Sequence, residues 1–379
     1  MRTYRFRIYP SKTQEKRMRY HLRLAKNLWN ELLEHSKRTY LDFGFFPTKN
    51  TLQLMAKDYG MFSQTQQEVA HRIHASVMKV LTMRKLGKNC GFPRFKSLEL
   101  MKSMHYPQNG VGFRLDDRLY VNPFGKIRIK KHREINGSIK TLTLKREPSG
   151  KWFAMFCVDE LIRSQKETRG GRIGIDLGLM NFATLSNGEV IGNPRHIRKY
   201  EDKLAFAQRD LSKKKKWSKN RQRARLKVAG IYEKLANTRR DFLHKLSSEL
   251  VQNHSIIALE KLASKEMAQQ NFGKSINDAG WSTFANMVAY KAESAGCKVV
   301  FVDPKDTTKE CSVCGIKTEM ALSERTHKCA VCGFSIDRDI NAARVILKRA
   351  TVGMTGSNAS GDEGKFSSLK EETTPTKVW

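Results

Sequence analysis

The 379-residue chain carries 71 Lys and Arg against 37 Asp and Glu, a formal balance of +34. A field of that size attracts a polyanion, so nucleic acid is the first expected partner and an anionic membrane the second. No apolar run approaches the roughly 18 residues that span a bilayer, and the opening MRTYRFRIYPSKTQEK lacks the apolar core of a secretory signal. The expectation is therefore a cytoplasmic or nucleoid-associated protein of two or three domains, with no membrane partner.

RTYRFRIYP alternates, with Tyr4, Phe6 and Ile8 on one face, and predicts a strand ended by Pro10. From Ser11 the apolar residues Leu22, Ala25, Leu28, Trp29, Leu32 and Leu33 recur at helical spacing. Further helices are expected over 50–58 and 64–86, so that 11–110 reads as a helical insertion broken by Cys90-Gly91-Phe92-Pro93. Between 111 and 160 short alternating runs are separated by turn residues, which predicts a small barrel or curled sheet that the opening strand joins. A second unit starts near Gly170. Strands are expected at 173–178, 182–185, 190–191, 255–260 and 298–302, with helices over 196–252, 275–296 and 341–349. Residues 351–379, rich in Ser, Thr and Gly, read as a disordered tail.

Cys311, Cys314, Cys329 and Cys332 have the spacing C-x2-C-x14-C-x2-C, and a glycine, Gly315 or Gly333, follows each pair. Four thiolates in two knuckles suit one tetrahedral Zn²⁺ with no open position, so this zinc is expected to be structural. His327, two residues before Cys329, is expected on the surface or against a polynucleotide rather than as a ligand.

Three carboxylates stand in apolar surroundings: Asp176 within IGIDLG, Glu260 at the end of SIIALE, and Asp339 opening the last helix in IDRDINAA. An acid in a buried strand is costly unless paired or metal-bound. Three such acids can hold two Mg²⁺ ions about 4 Å apart, one activating water and one stabilising the leaving oxygen. Asp337 competes with Asp339 for the third position; the small residues of Asn341-Ala342-Ala343 favour Asp339 at a closely packed helix start. The ribonuclease H fold supplies this geometry.

Lys213, Lys214, Lys215, Lys216, Trp217, Arg221 and Arg223 belong to a basic run, 211–227, that contains no acid. It is expected to bind phosphates, with Trp217 stacking on a base. Lys126, Arg128, Lys130 and Lys131 form a second basic run within the expected barrel.

Together YRFRIYP, CGFPRFK, GIDLGLMNFAT, RRDFLHKLSSELV, ALEKL, DAGWSTF, the two CxxCG knuckles and DRDINAA resemble, in order over about residues 1–350, the TnpB proteins of insertion sequences, relatives of type V CRISPR effectors. The resemblance implies an α/β multidomain chain: a RuvC-like ribonuclease H fold with an inserted zinc ribbon, and an N-terminal wedge β-barrel interrupted by a helical recognition insertion. The implied boundaries are 1–10 and 111–169 for the wedge, 11–110 for recognition, 170–305 and 336–350 for the RuvC part, and 306–335 for the zinc module. It implies a monomeric ribonucleoprotein in the cytoplasm or nucleoid of a prokaryote. The chain would cut double-stranded target DNA beside a short motif, directed by a guide RNA from the transposon end. Asp176, Glu260 and Asp339 carry over as the catalytic, Mg²⁺-binding set and the four cysteines as zinc ligands. The recognition insertion makes Gln67, His71 and Arg72 the expected motif readers. Thr307-Thr308-Lys309 departs from a Ser/Gln pair common in the family, and no consequence for the chemistry is expected. A catalytically silent RNA-guided DNA-binding regulator is the alternative, argued against by the complete carboxylate set; a strand-joining transposase is disfavoured by the resemblance.

Overall fold

The computed structural model describes residues 1–160, 170–267, 269, 273–321 and 324–355. The chain divides into two compact units, Met1–Ser164 with Asp202–Lys234 and Gln165–Glu201 with Leu235–Trp379. The basic stretch within 202–234, read from the sequence as part of the nuclease-like segment, thus groups with the first unit.

The first unit opens with β1 (Arg2–Tyr9), whose Tyr4, Phe6 and Ile8 are buried as the alternation requires. Pro10 ends the ladder and Ser11 starts α1 (Lys12–Phe43) through a capping box. The Ser11 hydroxyl accepts from the Gln14 N–H at 3.2 Å, and the Gln14 side chain accepts from the Ser11 N–H at 2.9 Å. The Gln14 amide also donates to the Phe124 and Lys126 carbonyls, tying the cap to the sheet. α2 (Lys49–Met55) and α3 (Ser63–Lys85) follow, and Leu28, Leu32 and Leu33 of α1 pack with Val69, Ile73 and Val77 of α3 in a core of their own.

The chain then returns to strands: β2 (Ser103–Tyr106), β3 (Phe113–Leu115), β4 (Leu119–Val121), β5 (Gly125–Lys130), β6 (Ser138–Arg146) and β7 (Trp152–Asp159). Their order is β2-β6-β7-β1-β5-β4-β3, so the opening strand sits between β5 and β7, antiparallel to both. The two ends of the sheet approach each other: the Tyr106 hydroxyl of β2 donates to the Asn122 carbonyl beyond β4 at 3.0 Å, giving a nearly closed barrel filled by Phe6, Phe113, Trp152 and Phe156. β2 lies inside the span expected to be helical. Met104 and Tyr106 are its buried positions, and four residues are too few to show a period in the sequence.

The second unit holds β8 (Gly171–Leu177), β9 (Asn181–Leu185) and β10 (Val190–Gly192) as an antiparallel meander. α4 (His196–Ser212) and α5 (Lys219–Asn253), whose 202–234 portion belongs to the first unit, replace the single helical stretch expected over 196–252. β11 (His254–Glu260) follows, then α6 (Ser264–Met267), α7 (Gly273–Ala279), α8 (Trp281–Ala295) and β12 (Lys298–Val302). The sheet order is β10-β9-β8-β11-β12, with β11 parallel to both β8 and β12. One face is covered by Leu243, Leu246 and Leu250 of α5 and by Trp281, Phe284 and Val288 of α8. The cysteine segment contributes a small hairpin, β13 (Thr326–Lys328) with β14 (Ser335–Asp337). α9 (Arg338–Thr355) covers the other face, its Ile346 and Ala350 packing on Ala258 and Val302. This helix runs five residues beyond the expected start of the tail; the remaining tail, 356–379, lies outside the described residues.

Candidate functional site

Alternation on β8 sends Ile173, Ile175 and Leu177 into the core under α5 and α8, so Gly174 and Asp176 occupy the opposite face. β11 does the same: Ile257 and Leu259 enter that core, while Ala258 and Glu260 face α9. The parallel register pairs Ile175 with Leu259, so Asp176 and Glu260 come next to each other at adjacent strand ends. α9 approaches this face closely because the residues beneath it are small. A Cβ at Gly174 would fall 2.1 Å from the Ala343 carbonyl oxygen, a contact no side chain tolerates. Ala342 and Ala343 are fully buried there, and the first turn of α9 carries Asp339.

The acids act on one another. Burial, then the charges of Glu260 and Asp339, push the Asp176 carboxyl up to about 8 against an ordinary 3.8; Arg338 opposes this and Asp337 adds to it. Burial also raises Glu260, against the Thr307 hydroxyl bonded to it and the charge of Arg349. Asp337 is exposed and caps α9: its Oδ1 accepts from the N–H groups of Asp339 at 2.9 Å and Ile340 at 3.1 Å. A buried carboxyl whose proton affinity is raised by burial and by neighbouring acids fits a divalent cation, whose charge would reverse the penalty. The donor set, carboxylate oxygens only, is the hard set that suits Mg²⁺. Among the described residues only the four cysteines, and not these acids, bring ligand atoms all within 4.8 Å of one another. The acids form an open centre rather than a closed cage.

Thr307, in the segment from which no chemical consequence is expected, touches one of these acids. Its Oγ1 donates to Glu260 Oε1 at 2.6 Å, and both residues are buried. The sequence signal was faint: a Thr five residues beyond a strand, with a partner 47 positions away. Asn341 is also more than a small neighbour. Its side chain accepts from the Ser312 N–H at 2.9 Å and donates to the Glu310 carbonyl at 2.7 Å, fastening the first cysteine knuckle to α9. Arg349 adds bonds to Glu310 Oε2 and to the Asp303 and Lys305 carbonyls.

Cys311, Cys314, Cys329 and Cys332 converge with all four Sγ atoms within 4.8 Å. Two of the separations, Cys311–Cys332 at 3.7 Å and Cys314–Cys329 at 3.5 Å, match the roughly 3.8 Å edge of a tetrahedron with Zn–S bonds of about 2.3 Å. Each knuckle turns through its glycine: the N–H groups of Gly315 and Gly333 donate to the Cys311 and Cys329 carbonyls, at φ of 79° and 69°. The N–H groups of Cys332 and Val331 pull the Cys329 thiol down, whereas the Cys332 thiol is pushed up, against the Phe334 N–H, by burial and the three neighbouring thiols. His327 departs from expectation. It is 0 % exposed on β13, with Nδ1 3.3 Å from Met320 Sδ, and so is neither a surface residue nor available to a polynucleotide. The polar context THKC concealed its inward position in the strand.

The basic run of the first unit lies at the turn between α4 and α5, where Lys213, Lys215, Lys216 and Arg223 are exposed and Trp217 is 94 % exposed at φ 69°. Part of the run is engaged internally, contrary to expectation. Lys214 pairs with Asp210 at 2.9 Å, Arg225 with Glu99, and Arg221 donates to the Leu211 and Lys214 carbonyls, latching the helical hairpin. Lys126, Arg128 and Lys130 alternate outward along β5, and Lys131 donates to the Asp116 carbonyl. Of the expected motif readers, Gln67 is exposed. His71 bonds Gln53 and Glu68 through its two ring nitrogens, and the Arg72 guanidinium lies 5.9 Å from the Trp29 ring centre.

The sequence families converge on the same chain. A family described as "Probable transposase" matches residues 155–271, a "Cas12f1-like, TNB domain" matches 281–346, and a "Helix-turn-helix domain" matches 1–42, which here form β1 and the single helix α1. An Escherichia coli K12 protein named "Putative RNA-guided DNA endonuclease InsQ" is 31% identical over 280 residues, 69% of each chain. A Streptomyces pristinaespiralis protein of the same description is 33% identical over 266 residues, covering 69% of this chain and 66% of that one. A cryo-EM structure of a Cas12f1–sgRNA–target DNA complex shares the fold, with a TM-score of 0.57 at 15% identity over 89% of this chain and 83% of that one. The matching families and relatives are those of insertion-sequence proteins related to type V effectors. The chain belongs to the TnpB family. Among the described residues no helix is long and apolar enough to cross a membrane.

Proposed function

We propose that this protein is an RNA-guided, Mg²⁺-dependent DNA endonuclease of an insertion sequence, cutting target DNA beside a short motif from a RuvC-like centre of Asp176, Glu260 and Asp339. The observation that carries the reading is that these acids, from three distant segments, meet on one sheet face under α9 and raise the proton affinity of Asp176. The sheet order, a three-strand antiparallel meander extended by two parallel strands, supports the ribonuclease H assignment. The capping role of Asp337 supports Asp339, which pairs with the Arg338 guanidinium at 3.4 Å, as the third ligand. Two Mg²⁺ ions held there would supply an activated water and neutralise charge on the scissile phosphate. Asp176 and Glu260 hold one edge of the site from rigid strands, and Asp339 approaches from the helix. The cysteine module binds one structural Zn²⁺. Its bonds to α9 through Asn341 then hold the helix that carries Asp339.

Guide RNA from the transposon end and double-stranded target DNA are the proposed partners of a single chain. Base pairing reads the sequence while the protein holds heteroduplex shape. Lys213, Lys215, Lys216 and Arg223, with Trp217 stacking on a base, and Lys126, Arg128 and Lys130 on β5 supply backbone contacts. Gln67 is the proposed motif reader, since His71 and Arg72 already have internal partners. The test is to sequence the RNA that co-purifies, rebuild the ribonucleoprotein with an altered guide, and follow plasmid cleavage in Mg²⁺. Cleavage that follows the guide supports the reading; binding of the matched plasmid without any cut would make the protein a regulator.

A further inference from the structure

We infer that Thr307 is a positioning residue of the cutting centre, which orients the Glu260 carboxylate through a hydrogen bond delivered by the loop that leads into the zinc module. The inference rests on the proposed role of Glu260 and goes beyond it.

Glu260 is 8 % exposed at the end of β11, and its long side chain could occupy several rotamers there. A buried carboxylate needs donors to carry its charge. Thr307, 2 % exposed, supplies one at 2.6 Å. A hydroxyl has one proton to give. The other acceptor within reach, the Pro304 carbonyl, is farther at 3.2 Å, so the geometry assigns the proton to Glu260. The bond fixes one carboxylate oxygen and thereby restricts the orientation of the other.

The loop behind Thr307 is itself held. Asp303 accepts from the Lys305 N–H at 2.9 Å, and Asp306, at a φ of 61°, accepts backbone bonds from Lys309 and Glu310 and a Lys317 ion pair at 2.9 Å. Four residues after Thr307 the chain reaches Cys311, the first zinc ligand. Glu310, just before it, is bonded to Asn341 and Arg349 of α9. Thr307 thus ties Glu260 to the same rigid segment that fastens the zinc knuckle to the helix of Asp339. Residues that hold a metal ligand by hydrogen bonds typically cost about 10–100-fold in metal affinity or activity when lost.

The experiment compares Thr307→Val, which keeps the shape and removes the donor, Thr307→Ala, which cannot overpack, and Thr307→Ser, which keeps the donor. Two readouts are needed. Binding of Mn²⁺ to the full-length chain is followed by the electron paramagnetic resonance of free Mn²⁺, and cleavage by the guide-loaded ribonucleoprotein is timed at saturating target. Zinc content checks that the module is intact. The expected result is a loss of about 10–100-fold in Mn²⁺ affinity and cleavage rate for Val and Ala alike, restored by Ser, at unchanged zinc content. Wild-type Mn²⁺ affinity in Thr307→Val and Thr307→Ala overturns the inference, as does a Ser variant as impaired as Val. Asp176→Ala separates the two levels. If it still binds Mn²⁺ and cuts, the carboxylate centre itself is wrong. If it loses both while Thr307→Val loses neither, only the role of Thr307 falls.

Discussion

The cysteine module and the carboxylate centre lie on successive stretches of one unit and are built in opposite ways. The cysteines come from 22 consecutive residues, and their sulfurs already stand at the spacing of a zinc tetrahedron. The carboxylates come from β8, β11 and α9, stay open, and two of them add to the burial that disfavours charge on Asp176. The difference teaches what each is for. A closed thiolate set holds its ion and stiffens the chain, whereas an open set of repelling acids stays poised for ions and a phosphate. Asn341 and Thr307 join the two, so damage to the first should be felt at the second.

The largest expected effect breaks the closed set. Cys311→Ser or Cys332→Ala should release the one Zn²⁺ per chain, since a structural zinc contributes on the order of 10 kcal/mol to its module. Elemental analysis of the variants checks this, and a wild-type protein without zinc contradicts it. Cleavage should fall by on the order of a hundredfold, because a shift of about 1 Å in α9 displaces Asp339.

A second prediction addresses the repulsion in the open set. The Asp176 carboxyl is held near 8 when folded and at an ordinary 3.8 when unfolded. The unfolded chain therefore gives up its proton first as pH rises. The penalty on the folded state is absent below the unfolded value, grows between the two, and is complete above about pH 8. Asp176→Asn should remove it. In magnesium-free buffer the variant should melt with the wild type near pH 4, then gain an advantage of on the order of 1 kcal/mol per pH unit up to about 8. Parallel melting curves across that range would show that burial and the neighbouring acids do not hold Asp176 protonated.

The smallest of the three concerns the close approach of α9. Gly174→Ala places a Cβ against the Ala343 carbonyl and should destabilise the chain by about 1–3 kcal/mol, read as a lower denaturant midpoint. An unchanged midpoint would mean that α9 is free to lift from β8 at no cost.

How much of this was legible depended on how local each signal is. The two cysteine knuckles are local, and their convergence could be read from spacing alone. Asp176 and Glu260 stood out as acids in apolar strands, and the 173–178 and 255–260 runs located both strands to within two residues. Thr307 was illegible because its partner is remote in sequence and a Thr after a strand carries no mark. β2 was too short to show a period. The basic run 211–227 contains no acid, so the sequence could not reveal that Asp210 and Glu99 reach into it from outside, or that Arg221 serves the hairpin rather than a phosphate. His327 shows the converse limit: polar neighbours say nothing of which face a strand residue takes.

The most direct test of the carboxylate centre is the rate of Mg²⁺-dependent plasmid cleavage by the guide-loaded ribonucleoprotein carrying Asp339→Ala, beside Asp176→Ala, Glu260→Ala and Asp337→Ala. Loss of a metal ligand removes several kcal/mol of transition-state stabilisation, so the Asp176, Glu260 and Asp339 variants should each lose about a thousandfold or more while still binding guide and target. Asp337→Ala should cut, at the cost of a helix cap worth about 1 kcal/mol of stability. Near-normal cleavage by Asp339→Ala together with a dead Asp337→Ala would contradict the assignment of the third ligand, and cleavage by all four would contradict the centre as a whole.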